Sequence, residues 1–148
     1  MTRVLVTGSR TWTDRRMVWD ALSLTATEYG INGLVVVHGK ANGGDTFAEE
    51  WALANEDKGV VNEPHPAEWL IGSGANAVYN PQAGFQRNGY MVDLGARRCL
   101  AFLMFCTKSD CPQRHQQHYT HGAAHCLGLA LAAGIPVVSY GGGRGGVA

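Results

Sequence analysis

An open, mainly parallel α/β sheet flanked by helices is the fold class the sequence predicts, on three observations. Short runs rich in β-branched residues alternate with segments of helical apolar spacing along the whole chain. The strand candidates read as continuous apolar runs rather than alternating ones, as strands covered on both faces do. With 148 residues, of which 45% are hydrophobic and 16% charged, the chain suits one core and does not resemble a disordered segment.

The elements follow in order. RVLVT at 3–7 and LVVV at 34–37 are strands. Between them Thr13 or Asp14 caps a helix whose apolar stripe is Met17, Val18, Ala21 and Leu22. A second helix starts near Asp45, with Phe47, Ala48, Trp51 and Ala52 on one stripe, and a weak third strand is expected at 59–61. Gly, Asn and Pro interrupt every apolar period from 64 to 82, so a long surface loop anchored by Trp69 is expected there. A helix over 82–94 precedes CLAFLMF at 99–105, the most hydrophobic run and the expected central strand. The last helix runs over 122–133, is ended by Gly134, and leads into IPVVSY at 135–140. One domain over 1–140 and a flexible Gly-rich tail, GGGRGGVA at 141–148, complete the expectation. There is no internal repeat.

Charge narrows the partners. Twelve basic and twelve acidic side chains cancel, so no overall field gathers DNA, RNA or an anionic membrane, and a nucleic-acid partner is not expected. The start MTRVLVTGSR lacks an apolar signal core, and no run approaches the ~20 apolar residues of a membrane span. A cytoplasmic protein with reduced thiols is expected, its cysteines buried, metal-bound or reactive rather than disulfide-linked.

Two turns carry the chemistry. In such sheets ligands sit where strand C-termini meet helix N-termini, because unpaired N–H groups and the helix dipole favour anions there. TGSR at 7–10 offers close backbone approach at Gly8, a hydroxyl at Ser9 and a guanidinium fork at Arg10. HGKANGGD at 38–45 offers bare backbone at Gly39, Gly43 and Gly44, positive charge at Lys40 and a cap at Asp45 or Thr46. The alternative is that both are tight turns in which glycine serves geometry alone. Neither matches a G-x-G-x-x-G or a Walker loop. His38 either touches the ligand or satisfies local backbone, and His65, between two prolines, is a loop residue.

TGSR, HGKANGGD with AEEWA, AEW at 67–69, AGFQRNGYM at 83–91 and THGAAHCLGLALAAGIPV at 120–137 together resemble the SLOG superfamily. More narrowly they resemble its small YspA/YpsA-related branch, frequent in bacteria and their phages and related to Lonely-guy proteins and DprA. The resemblance implies a Rossmann-like domain that binds nucleotides or nucleotide-derived molecules, including ADP-ribose-like signals, as a sensor or sequestering module in phage and host conflict. It also implies that Gly8, Ser9, Arg10, Gly39, Gly43, Gly44 and Asp45 line the pocket. Arg87 and Asn88 fall on the family's RN pair, with Arg87 suited to a phosphate and Asn88 to a ribose hydroxyl or base edge. Lonely-guy hydrolases carry a late glutamate that this chain lacks near Gly122, so binding ranks ahead of N-glycosidic or phosphoribo hydrolysis. A hydrolase would rely on His121, Asp45 or Glu49. A DprA-like single-strand DNA binder is a third class, disfavoured by the neutral charge. Homodimers occur among related proteins, and Trp12 and Trp19 are a candidate interface.

Residues 106–126 hold three of the four cysteines and four of the six histidines. The spacing is close to a zinc frame without matching one. The preferred structural zinc set is Cys106, Cys111 and His118 with His115 or Cys126 as the fourth. His121 and His125 form an i,i+4 pair that opens a second set, and His121, beside Gly122 at a helix N-terminus, is alternatively placed to hydrogen-bond a phosphate. Against any metal, Cys99 and Cys126 are core residues and the histidines a solvated run.

Overall fold

Successive side chains of the apolar runs point to opposite faces, and both faces are covered. A computed structural model of the chain describes residues 1–141 and 146–147. Val4 and Val6 of β1 (Thr2–Gly8), with Leu34 and Val36 of β2 (Leu34–His38), pack under α1 (Arg15–Tyr29) and α2 (Gly44–Ala54). Leu5, Val35 and Val37 face the other way, toward Met91 and Val92 of α3 (Ala83–Asp93) and Cys126 and Ala130 of α4 (His121–Ala132). Each such fully buried aliphatic side chain contributes ~1.5–3 kcal/mol.

The sheet order is β3-β2-β1-β6-β7-β8, with β3 at Val61–Pro64, β6 at Arg98–Leu103, β7 at Val137–Gly141 and β8 at Gly146–Val147. The first five are parallel, which is the open α/β sheet expected. The chain winds outward through β2 and β3, then returns to place β6 on the opposite side of β1. The order therefore reverses between β1 and β6, where crevices form above the strand C-termini.

Several boundaries differ from expectation for identifiable reasons. The third strand begins at Val61, and its Pro64 is tolerated because the strand lies at the sheet edge. The segment expected as a loop contains a short antiparallel pair, β4 (Leu70–Ile71) and β5 (Val78–Tyr79), brought together by a turn too irregular for periodicity to register. β6 stops at Leu103 because Met104 N–H donates to Ser9 Oγ (2.9 Å) instead of continuing the ladder. Asp14 caps α1, accepting from Met17 N–H at 3.0 Å. Neither expected cap serves α2: its N-cap is Gly43, Thr46 donates to Ala41 C=O, and Asp45 turns back on its own loop.

Trp12 and Trp19 do not form an exposed interface. Trp12 is buried against Phe102, and Trp19 packs on the same core with its indole N–H on Phe47 C=O at 3.1 Å. Of the expected tail, Gly141 ends β7, Gly146–Val147 form β8 antiparallel to it, and residues 142–145 and 148 lie outside the described residues. No helix among the described residues is long and apolar enough to cross a membrane.

Candidate functional site

At the reversal between β1 and β6 lies a cleft of about 400 Å³. β1 and its following turn contribute Thr7, Gly8, Ser9 and Arg10; α3 contributes Gly84, Phe85, Arg87, Asn88 and Met91. The connection from β6 to α4 contributes Cys106, Lys108 and Thr120, and α4 opens onto the cleft with His121, Gly122 and Ala123. Trp69 and Tyr79, stacked at 6.0 Å between centroids, supply an aromatic edge, and the Arg10 guanidinium lies 5.9 Å from the Trp69 ring centroid.

Arg10, Arg87 and Lys108 against the single acid Asp45 make the cleft cationic in a chain of zero formal charge. Thr120, the N-cap of α4, makes no side-chain capping bond, so the first-turn amides beside the cleft are available to an anion.

Asp45 sits at the bottom of this field, 5% exposed. Its Oδ2 accepts from the Gly39 and Ala41 N–H groups at 3.1 and 3.3 Å, while Oδ1 is buried with no partner among the described residues. Burial pushes its carboxyl up to about 7, against the opposing pull of the two loop amides and of Arg87 and Arg10. A buried polar oxygen left unpaired costs ~1–3 kcal/mol, which makes Oδ1 the least satisfied polar atom of the cleft's lining.

Arg87 is half committed. It donates through Nη1 to the carbonyls of Gly39 and of His65 (3.1 Å for the latter) and through Nε to Asn88 Oδ1 (3.0 Å). Burial lowers its pKa from the usual value, with Asp45 acting in the opposite direction. Asn88 is spent on structure: its amide bridges α3 to Gly122 C=O and His125 Nδ1, each at 3.2 Å. Ser9 Oγ, besides accepting from Met104, lies 2.5 Å from Thr120 Oγ1 and ties β1 to the start of α4.

Of the residues singled out from the sequence, Gly8, Ser9, Arg10, Asp45, Arg87, Asn88, His121 and Gly122 meet at the cleft. Five do not. His38 is fully buried: its Nδ1 accepts from Lys40 N–H, so Nε2 carries the proton that goes to Asn62 Oδ1 at 2.8 Å. Lys40 points to Glu49, pairing at 2.6 Å. Gly39 and Gly44 are buried and Gly43 half-buried: Gly43 and Gly44 press on the backbone of the turn after β1, and Gly39 lies against the Arg87 guanidinium. A Cβ on Gly8 would come within 2.9 Å of Gly44 Cα, and one on Gly43, whose φ is 77°, would collide with Ser9 C=O. At these three positions geometry alone explains the glycine.

Trp69, Tyr79, Phe85, Lys108 and Thr120 line the cleft and were not anticipated as site residues. The AEW segment placed Trp69 as an anchor, but only the hairpin brings Tyr79 beside it.

Four donor atoms, from Cys106, Cys111, His118 and His121, lie within 4.8 Å of one another and form a group able to hold a metal. The fourth member is His121, not His115 or Cys126. His115 is exposed on the far part of the loop, and Cys126 lies in the core, where burial pushes its thiol up to about 11. His125 is also apart, stacked on Phe85 at 4.1 Å.

Fold and cleft together define a Rossmann-like α/β protein with a cationic crevice at the sheet's switch point. The chain belongs to the YspA, cpYpsA-related SLOG family, whose model matches residues 2–71. It is 41% identical over 145 residues to the Gene 61 protein of Mycobacterium phage D29, covering 95% of this chain and 98% of that one. The fold is shared with DNA processing protein A from Helicobacter pylori, a protein with a unique single-stranded DNA binding mode (TM-score 0.59, 14% identity, 99% of this chain and 68% of that chain). Family membership supports nucleotide-related binding as the general class of activity.

Proposed function

We propose that the cleft binds a phosphorylated ribose compound, a nucleotide or nucleotide-derived small molecule of the ADP-ribose type, and that the protein senses or sequesters it in the cytoplasm. The observation that carries this reading is the unpartnered Oδ1 of Asp45, buried under a cationic rim. A sugar hydroxyl would donate to it once ionised, and an acid that keeps its proton until about pH 7 would donate to a sugar oxygen in turn. Arg10 and the α4 amides suit phosphate, and Trp69 with Tyr79 or Phe85 offers a face on which a base would stack.

Calorimetry with a panel of nucleotides and ADP-ribose derivatives tests the reading. Saturable heat that disappears in Arg10→Ala supports it, and absence of heat across the panel at high concentration ends it. Arg10 is the better probe because Arg87 also holds Gly39 and His65, so its removal disturbs the fold. A single-stranded oligonucleotide belongs in the panel: competition by DNA with strong salt dependence would favour a nucleic-acid occupant instead. Native mass spectrometry gives the subunit number and so tests the homodimer expected from related proteins.

One observation favours a second reading, N-glycosidic or phosphoribo hydrolysis. A carboxyl pushed up to about 7 is poised for general acid–base work near neutrality. Chromatography of the ligand after long incubation separates the two: free base or ribose phosphate supports turnover, intact ligand supports binding.

A further inference from the structure

We infer that Cys106, Cys111, His118 and His121 bind one zinc ion, and that this ion forms part of the cleft's wall. The four donor atoms converge within 4.8 Å of one another. Cys111 Sγ lies 3.4 Å from His118 Nε2 and 3.4 Å from His121 Nε2, and the two Nε2 atoms are 3.2 Å apart. A tetrahedral ion with bonds of ~2.0–2.1 Å to nitrogen and ~2.3 Å to sulfur holds its donors ~3.3–3.8 Å apart. The triangle of Cys111, His118 and His121 is within a few tenths of an ångström of that size, and Cys106 Sγ lies within 4.8 Å of its corners.

Proton accounting points the same way. His118 Nδ1 lies 2.7 Å from Gln116 C=O, which only accepts, so Nδ1 carries the proton and Nε2 presents a lone pair to the centre. That carbonyl is the kind of outer partner that fixes a ligating imidazole's tautomer and orientation. A proton shared between the histidines would satisfy one side of the triangle; a cation at its middle satisfies all of it. Binding would convert two thiols to thiolates and release two protons as the ion takes two S⁻ and two neutral N donors. Two thiolates and two imidazoles select zinc over magnesium or calcium, and four protein ligands leave no open position for water. The ion is therefore structural.

Its place in the chain explains the need. Residues 104–120 contain only turns, bends and the isolated Phe105–Tyr119 bridge, and the Cys106 N–H to His118 C=O bond (2.7 Å) closes the base of the loop. Most of the loop's side chains from 107 to 117 are exposed, so it has little apolar surface with which to order itself. Cys106 and His121 both line the cleft, and His121 is the first residue of α4. The ion would fix the loop against the helix terminus whose amides face the ligand. This consequence for the ligand rests on the cleft being the nucleotide site; the metal site does not.

Elemental analysis of the purified full chain, prepared without chelators, is expected to give one zinc per chain. Replacing it with cobalt should give the visible bands of a tetrahedral centre together with a sulfur-to-cobalt charge-transfer band. Cys111→Ser and His118→Ala should lose both signals, whereas His115→Ala should keep them. The cobalt spectrum of the unsubstituted protein decides the matter even where a variant misfolds: an octahedral spectrum, or no metal retained after reconstitution, overturns the site. Chelator-stripped protein should bind the nucleotide found by calorimetry about tenfold or more weakly, the size seen when support around a site is lost. Zinc retained with no nucleotide bound leaves the metal site standing and removes the proposed function. Equal affinity with and without zinc removes the coupling between the two.

Discussion

The cleft has two walls made by opposite means. On the sheet side, the turns after β1 and β2 press together so closely that Gly8 and Gly44 meet Cα against backbone, and both turns continue directly from buried strands. On the far side, residues 104–121 leave the sheet and are held by a few polar contacts: Ser9 to Met104 and Thr120, Cys106 to His118, and the cysteine–histidine cluster. The first wall is rigid because the core cannot fold without it. The second rests mainly on exposed or half-buried side chains, with Met104 and Tyr119 packed on the core, so loosening it is expected to cost the fold less than disturbing the first.

The largest expected effect breaks the rigid wall's electrostatics. Asp45 has a folded-state value raised from 3.8 to about 7, so below pH 4 the group costs nothing, and between pH 4 and pH 7 the unfolded chain ionises while the folded one resists. Stability should fall through that window by about 4 kcal/mol from this group, at ~1.4 kcal/mol per unit, and level off above it. Asp45→Asn should flatten the slope in urea titrations at several pH values; an unchanged slope would show that the carboxyl is ionised in the fold.

Next comes the rim. Arg10→Ala should weaken ligand binding by ~1.5–3 kcal/mol for each charge-assisted hydrogen bond lost, with the melting temperature unchanged because Arg10 is exposed. Gly8→Ala should do the reverse, lowering stability by ~1–3 kcal/mol as two backbones are forced apart, measured by chemical denaturation. Equal stability of Gly8→Ala and the parent would mean that the two turns yield easily, and the contrast between the walls would go. The smallest effect belongs to Lys40→Ala: its half-exposed pair with Glu49 is worth at most ~1 kcal/mol, and ligand affinity should not change. A large loss of affinity there would return Lys40 to the site.

Periodicity and β-branched runs determined the parallel sheet and its four helices, because burying both faces of a strand and one stripe of a helix demands those patterns locally. The turns after the first two strands announced Arg10 and Asp45, since strand-to-helix junctions carry ligand groups in such folds, whereas Arg87, inside α3, was reached only through the resemblance to the family's RN pair. Which glycines face the cleft and which press on a neighbouring loop was decided only by how the loops meet in space. His121 in place of His115 or Cys126 was decided likewise, because the loop folds back so that Cys106 pairs with His118 and brings the start of α4 to Cys111, a closure that spacing along the chain does not encode.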